Sequence, residues 1–385
     1  MTIALVLAAC GAANDAVGGS GSTSEPTGES TGAEPTLADK AGQMVMAGFR
    51  GLTLDEDDHF ARELQDLNLG GAVLFDYDVP SQSLGRNIDS PEQVEALVSQ
   101  LQDLAPTPLL IAVDQEGGSV ARLKPDRGFP PTESAEDLAA LDDPMATSEA
   151  AGQLAETLAS MGIDMNLAPV VDLNVNPDNP VIGGIGRSFG ADPTTVVEQA
   201  TAFIEAHHAN GVLTSLKHFP GHGSSTEDSH HGFVDVTETW TGIELEPFAE
   251  LIDAGLADSV MTAHIVNQDI DPDVPATLSE LTIQGMLRDE LGFDGLVLSD
   301  DMQMGAITQE FGFDEAVERT ILAGVDMLII SNNIDEYDQH VHRRAVETII
   351  RLVDDGTIPM ARIDESYERI QQVKERIAEQ RPAGA

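Results

Sequence analysis

The sequence predicts an α/β fold in which eight parallel strands close into a barrel within a single catalytic domain. Apolar runs typical of buried strands alternate with candidate amphipathic helices, which implies a parallel sheet covered on its outer face. The runs are residues 43–49, 70–75, 108–114, 165–173, 212–217, 259–264, 295–300 and 326–331. Their number favours the (β/α)8 TIM barrel, with a doubly wound open sheet as the alternative.

Two of the intervening helices have clear C-terminal boundaries. Residues 193–210 carry one apolar face and are followed by Gly211, and residues 314–323 are followed by Gly324. Glycine directly after the last periodic residue is typical of a helix C-terminus. We therefore expect both helices to end there.

The N-terminal segment predicts export and a lipid anchor. Leu-Ala-Ala-Cys over residues 7–10 ends a short apolar run and resembles a bacterial lipobox, which implies an extracytoplasmic protein anchored to the cell membrane through lipidated Cys10. A chance apolar start is the alternative, since no basic residue precedes the run. The Gly, Ser, Thr and Glu-rich stretch that follows is expected to be a flexible tether. The predicted domains are residues 1–36, signal and tether, and residues 37–381, the catalytic barrel.

The charge and cysteine content exclude some classes of protein. With a formal net charge of −48, the surface repels a phosphate backbone, which argues against nucleic-acid binding. The charge does not identify the partner. Because Cys10 is the only cysteine, no internal disulfide can form and the barrel must be held by its core.

Residues 217–231 concentrate four histidines and two acids in one segment. The segment follows an apolar run, so its polar side chains fall where a strand ends, and barrel enzymes carry their chemistry there. Asp228 precedes His230 by two residues, close enough for a carboxylate to orient an imidazole for acid/base work. A surface loop and a zinc site are the alternatives. The spacing of His218 and His222 matches no metal signature, and we expect neither metal nor cofactor.

Other polar side chains end the apolar runs in the same way. They are Asp114, Asp172, Lys217, His218, His264 and Asp300, with Arg122 and Arg187 on the loops that follow. An acid that closes an apolar strand needs solvent or a polar partner, because burying its charge unpaired costs several kcal/mol. Their convergence indicates one site, although each member alone is equally consistent with a structural ion pair.

Five stretches near these strand ends carry recognisable motifs. They are Asp-Gln-Glu-Gly-Gly at 114–118, Gly-Arg-Ser-Phe at 186–189, Lys-His-Phe-Pro-Gly-His at 217–222 with Asp-Ser-His at 228–230, Met-Thr-Ala-His at 261–264 and Ser-Asp-Asp-Met at 299–302. In this order, along residues 38 to about 335, they resemble the glycoside hydrolase family 3 β-N-acetylhexosaminidases. The resemblance implies a (β/α)8 barrel that removes terminal β-linked N-acetylglucosamine with retention of configuration, through a covalent glycosyl-enzyme.

The resemblance also implies roles for individual residues. Asp300 corresponds to the nucleophile, His230 to the acid/base and Asp228 to the residue that orients it. The implied sugar ligands are Asp114, Arg122, Arg187, Lys217 and His218. Relatives usually carry Arg in place of Ser119, and Asp-Thr at positions 224–225, which are both serine here. These departures bear on substrate preference before activity, since neither touches the nucleophile or the dyad.

The implied partner is an oligosaccharide or muropeptide, and the implied role is turnover of cell-wall or other glycans. Three alternatives remain. The same site could catalyse phosphorolysis, because a neutral imidazole does not repel an incoming phosphate as an anionic carboxylate does. A β-glucosidase of the same family is the second alternative, although its acid/base usually comes from a second domain. The third is a tethered lipoprotein that binds sugar without turnover.

Overall fold

The computed structural model describes residues 34–229 and 232–380, and its centre is one sheet of eight parallel strands. The strands are β1 Val45–Gly48, β2 Gly71–Leu74, β3 Leu110–Val113, β4 Met165–Asn166, β5 Leu213–Phe219, β6 Ser259–Thr262, β7 Leu296–Leu298 and β8 Leu328–Ile330. Each strand overlaps one predicted apolar run, although β5 continues two residues past its run and β4 covers only the start of its own. Cys10, most of the predicted tether and His230 lie outside the described residues and stay predictions.

The sheet curves round until its two end strands meet. The strand order is β7, β6, β5, β4, β3, β2, β1 and β8, with every neighbouring pair parallel. Between β7 and β8, a parallel bridge joins Leu298 to Met327, and the Ser299 N–H donates to the Met327 carbonyl at 3.0 Å. The structure is therefore a nearly closed barrel. The TIM-barrel prediction is confirmed, and the open-sheet alternative is wrong.

Helices surround this ring. The α-helices are Leu37–Gln43, His59–Leu67, Pro91–Leu104, Ala135–Ala139, Pro144–Ser160, Pro193–Ala209, Glu246–Asp253, Gly305–Thr308, Phe313–Ala323, Val341–Asp354 and Met360–Gln380, and Leu281–Glu290 is a π-helix. Both predicted boundaries are confirmed to within a residue or two: one helix is capped at Asn210, and the other ends at Gly324, whose φ is 116°. No helix in the described part of the chain is long and apolar enough to cross a membrane.

Two short antiparallel hairpins interrupt the alternation of strands and helices. Tyr77–Asp78 pairs with Ser83–Leu84 after β2, and Gln115–Gly117 pairs with Val120–Ala121 after β3. Each hairpin directly follows the carboxyl end of a barrel strand, and the sequence predicted neither. They add residues to the mouth of the barrel, where the loops of this fold carry function.

Asp326 is a fully buried carboxylate just before β8. One of its oxygens accepts hydrogen bonds from Arg288 at 2.7 Å and from the Val297 N–H of β7 at 3.0 Å. The other oxygen accepts from Arg362 at 3.0 Å and from Arg369 at 3.1 Å. A single side chain thus ties β7, the π-helix and the last helix together at the place where the barrel closes.

Replacing this carboxylate should destabilise the barrel. We expect Asp326→Ala to lower the free energy of unfolding by about 3 to 5 kcal/mol, because the arginines lose their buried anion. The matched control is Asp314→Ala, which removes an exposed carboxylate paired with Arg344 and should cost less than about 1 kcal/mol. Urea unfolding of both variants measures the difference, and equal losses would contradict the role given to Asp326.

Candidate active site

The carboxyl ends of the strands open into one cleft with a volume of about 450 Å³. Of the residues predicted for the site, those that line the cleft are Asp114, Arg122, Arg187, Lys217, His218, Asp228 and Asp300. They come from the ends of β3, β5 and β7 and from the loops after β3, β4 and β5. His230, the remaining predicted member, lies outside the residues that the structure describes. The barrel therefore brings together side chains that are far apart in sequence.

The floor of the cleft holds the buried ammonium group of Lys217, which is only 2% exposed. Its Nζ lies 2.8 Å from Asp114 Oδ1 and 2.6 Å from Glu116 Oε1. Burial alone would lower the pKa of Lys217, but the two carboxylates outweigh that effect and raise its pKa above the usual value. Lys217 therefore stays charged at neutral pH and holds both acids in place.

Glu116 is a member of this cluster to which the sequence analysis gave no role. Arg187 donates to it through two parallel hydrogen bonds, Nε to Oε2 at 2.8 Å and Nη2 to Oε1 at 2.7 Å. Burial would raise the pKa of Glu116, yet the charges of Arg187 and Lys217 hold it well below its usual range. Lys217 and Arg187 are both predicted site residues, and two buried cations this close together need a second anion besides Asp114. That need is the signal that could have identified Glu116 within its motif.

Asp172 positions the histidines that follow β5. Its Oδ2 lies 2.7 Å from His218 Nδ1, and its Oδ1 accepts the backbone N–H groups of His218 at 3.1 Å and His222 at 2.8 Å. A carboxylate can only accept, so His218 carries its proton on Nδ1. Its Nε2, which lies 3.4 Å from an Arg187 nitrogen, faces the cation as an acceptor. In the sequence, Asp172 is recognisable only as a strand-end acid, and its hydrogen bonds to the two histidines become apparent only in the fold.

Two adjacent acids follow β7, and their surroundings differ. Asp301 accepts hydrogen bonds from the Ser331 hydroxyl, from the Ser331 N–H at 3.0 Å and from the Gln303 N–H at 3.2 Å. Its carbonyl also accepts from His264 Nε2 at 3.0 Å. Asp301 therefore fastens the end of β7 to the end of β8. Asp300 lines the cleft, and its Oδ1 accepts the Asp301 N–H at 2.7 Å.

The loop that carries Asp228 is held by a buried imidazole. His222 is 3% exposed; its Nδ1 lies 2.8 Å from the Ser225 hydroxyl, and its Nε2 lies 3.2 Å from the Ser229 hydroxyl. Burial lowers the pKa of His222 to about 4, so the ring is neutral at physiological pH. Ser229, the residue after Asp228, is thus held by His222 at the start of the same loop.

A barrel whose carboxyl edge gathers acids and cations in one cleft has the arrangement of a TIM-barrel enzyme, and carboxylates in such a cleft are groups that glycoside hydrolysis can use. The chain belongs to glycosyl hydrolase family 3, because the family model described as "Glycosyl hydrolase family 3 N terminal domain" matches residues 36–373. The family resemblance inferred from the motifs is therefore confirmed, and the protein is a glycoside hydrolase.

Individual relatives agree with this assignment. A protein of Tolumonas auensis named "Beta-hexosaminidase" is 38% identical over 303 residues, which cover 75% of this chain and 83% of that protein. A solved family 3 β-N-acetylglucosaminidase from Paenibacillus sp. str. FPU-7 superposes with a TM-score of 0.82 at 36% identity, over 91% of this chain and 64% of that one. The β-N-acetylhexosaminidase of Beutenbergia cavernae gives a TM-score of 0.79 at 31% identity, over 89% of this chain and all of that one.

Glu244 lies fully buried beneath the loop after β5 that carries Asp228. Its Oε2 accepts the Ser224 N–H at 3.2 Å, whereas its buried Oε1 has no hydrogen-bond partner among the described residues. The loop passes so close that a Cβ added at Gly221 would lie 2.6 Å from the Glu244 Cβ. Burial, reinforced by the charge of Asp172, raises the pKa of Glu244 to about 7. The loop therefore rests on a carboxyl group that is protonated in mildly acidic solution.

This raised pKa predicts a pH-dependent stability. Because the pKa of Glu244 is about 7 in the folded protein and an ordinary 4.5 in the unfolded chain, the folded protein holds this proton more tightly. Protonation of Glu244 therefore stabilises the fold fully below pH 4.5, and that contribution is lost as the pH rises through about 7. Glu244→Gln stays neutral throughout. We expect the stability of this variant relative to wild type to increase by up to about 3 kcal/mol between pH 5 and pH 8.

Unfolding experiments at several pH values measure that difference directly. The control is Glu246→Gln, which alters an exposed carboxyl group two residues away and should track wild type at every pH. A stability difference between Glu244→Gln and wild type that stays constant with pH would contradict the titration of Glu244 in this range.

Proposed function

We propose that this protein is a retaining exo-glycosidase that releases terminal β-linked N-acetylglucosamine from an oligosaccharide or muropeptide. Asp300 is the nucleophile, and His230 is the acid/base, oriented by Asp228. The observation that carries the proposal is the shared cleft, in which Asp300 and Asp228 line the same space as Asp114 and Lys217. The relatives named for β-hexosaminidase and β-N-acetylglucosaminidase support the choice of sugar.

The charged cluster supplies the groups that hold the terminal sugar. The side chains of Asp114 and Arg122 are 18% and 28% exposed, and Arg122 Nη2 lies 3.6 Å from Asp114 Oδ2, which leaves both able to hydrogen-bond to hydroxyl groups. Lys217, Arg187 and Glu116 are at most 9% exposed. The two accessible side chains therefore contact the sugar, and the three buried ones fix their positions.

The first step makes a covalent intermediate. A carboxylate oxygen of Asp300 bonds to the anomeric carbon as the bond from that carbon to the leaving oxygen breaks. The proton of the His230 imidazolium passes to the leaving oxygen, so the second sugar departs as a neutral alcohol. This step leaves a glycosyl ester on Asp300, an inverted anomeric centre and a neutral imidazole.

The second step restores the enzyme. Water attacks the anomeric carbon from the vacated side, and the neutral imidazole of His230 takes its proton. The ester bond to Asp300 breaks and returns the carboxylate, so two inversions give net retention. Because histidine has an ordinary pKa of about 6.5, it can act as acid and then as base without the burial that a carboxyl group would need.

Removing the nucleophile should abolish turnover while preserving the fold. Asp300→Asn is nearly isosteric but cannot form the glycosyl ester, so we expect kcat to fall at least about a thousandfold with an unchanged melting temperature. A fluoro-sugar that traps the intermediate should label Asp300 in wild type, as located by mass spectrometry. Label on Asp301, or substantial activity in the variant, would overturn the assignment.

Removing the orienting acid should affect substrates according to their leaving group. Asp228→Ala should lower kcat/KM by about a hundredfold for alkyl glycosides, whose leaving oxygen needs a proton, and far less for activated aryl glycosides. The exposed Asp273→Ala is the control and should change neither rate. Equal losses on both substrate types in Asp228→Ala would argue against an acid/base role for this dyad.

A further inference from the structure

The hairpin after β2 places exposed apolar surface in the same cleft as Asp300. Tyr77 is 39% exposed and Val79 is 37% exposed, and both line the cleft. Nothing in the closure of the barrel requires them, because the hairpin lies outside the eight-stranded sheet. An aromatic ring exposed in the mouth of a polar site therefore indicates a surface that binds a ligand.

A buried arginine fixes the base of this hairpin. Arg86 is 3% exposed and donates to the Ser331 carbonyl at 3.0 Å and the Asn332 carbonyl at 2.8 Å, both directly after β8. It also pairs with Asp78 in the hairpin itself. Arg50 donates two further hydrogen bonds of 2.8 Å to Asp78, from the loop after β1. The hairpin is thus tied to two neighbouring strand ends.

Asn333 fixes the part of the hairpin that carries the apolar side chains. Its amide nitrogen donates to the Tyr77 carbonyl at 3.0 Å, and its amide oxygen accepts the Val79 N–H at 2.9 Å. The backbone on each side of Asp78 is therefore held by the loop after β8, and this fixes the backbone that carries Tyr77. A side chain carried by a fixed backbone leaves less conformational entropy to be lost on binding, which suits a binding surface.

The depth of the cleft distinguishes two regions. The charged cluster is the more buried region: Lys217 is 2% exposed, and Asp114 and Arg122, which it helps to position, offer polar partners to the hydroxyl groups of an enclosed sugar. Tyr77 and Val79 lie at the accessible rim and offer carbon surface. A pyranose ring has a face made mainly of C–H groups, which packs well on an aromatic ring. The sugar that departs after cleavage must also lie nearer to solvent than the sugar that is held.

We propose that Tyr77 and Val79 form the subsite for the sugar on the leaving-group side of the scissile bond, with the Tyr77 ring packed against the C–H face of that pyranose. This inference rests on the proposed glycosidase function and adds to it a preference for disaccharide over simple alkyl glycosides. Ile185 is 39% exposed and also lines the cleft, but it offers no aromatic ring to a pyranose face. Leu141, at 60% exposure, does not line the cleft and has no such role.

Two substrates with the same glycone test the subsite. N-acetylglucosaminyl-β-1,4-N-acetylglucosamine and methyl β-N-acetylglucosaminide both release an alcohol whose oxygen must be protonated, but only the first carries a second sugar ring, so the effect of each variant is compared with wild type on the same substrate. We expect Tyr77→Ala to lower kcat/KM for the disaccharide about three- to tenfold, mainly through KM, and to leave the methyl glycoside unchanged. Tyr77→Phe should retain most of the disaccharide activity, because the ring rather than the hydroxyl makes the contact.

Leu141→Ala is the matched control and should behave as wild type on both substrates. An equal loss on both substrates in Tyr77→Ala would show that Tyr77 serves the terminal sugar, and no loss on either would show that it binds neither sugar; both outcomes overturn the subsite while leaving the proposed function intact. A wild-type enzyme that cleaves neither substrate would instead contradict the proposed function, and the subsite with it.

Discussion

The burial of one ammonium group, that of Lys217, determines how the rest of the site is arranged. A lysine that is 2% exposed must be neutralised, and Asp114 and Glu116 do so from the segment after β3. Glu116 then draws Arg187 in from the loop after β4. Each charge is held by the next, so removing any one leaves an uncompensated charge in the interior. The cluster thereby becomes a fixed floor against which Asp300 can be placed.

The barrel is fastened at both ends of its strands, but only one end carries the residues of the cleft. Asp326 precedes β8 and gathers arginines where β7 and β8 meet, whereas Asp301 follows β7 and holds Ser331 after β8. The closure of the barrel is thus fastened at both edges by carboxylates, but only the carboxyl edge opens into the cleft. Asp301 contributes its carboxylate to that closure, and this fixes the backbone of the adjacent Asp300. The Asp300 side chain lines the cleft instead of fastening the barrel. This division lets the loops vary without loosening the barrel.

The sequence predicted most of the scaffold, because continuous apolar runs and terminal glycines are local signals. The sequence also predicted that the strand-end residues lie close together, since parallel strands bring their carboxyl ends to one edge. The sequence could not show which charged side chains pair with one another in space. The roles of Glu116 and Asp172 depend on which cations and imidazoles face them in space, and the hairpin at Tyr77 lacks a long alternating pattern. The regular part of β4 is also shorter than its apolar run, in which Pro169 has no N–H to donate.

Two buried titratable groups, the imidazole of His222 and the carboxyl group of Glu244, support the loop after β5. His222 has a pKa of about 4 and gains a charge only below it, whereas Glu244 has a pKa of about 7 and gains a charge above it. Between these limits the loop is packed on a neutral imidazole and a neutral carboxyl group, and neither adds a buried charge beside Asp228. An imidazole of ordinary pKa, about 6.5, changes protonation inside that interval. In the mechanism proposed above, a histidine of ordinary pKa would therefore act as acid and as base within the interval in which both supporting groups are neutral.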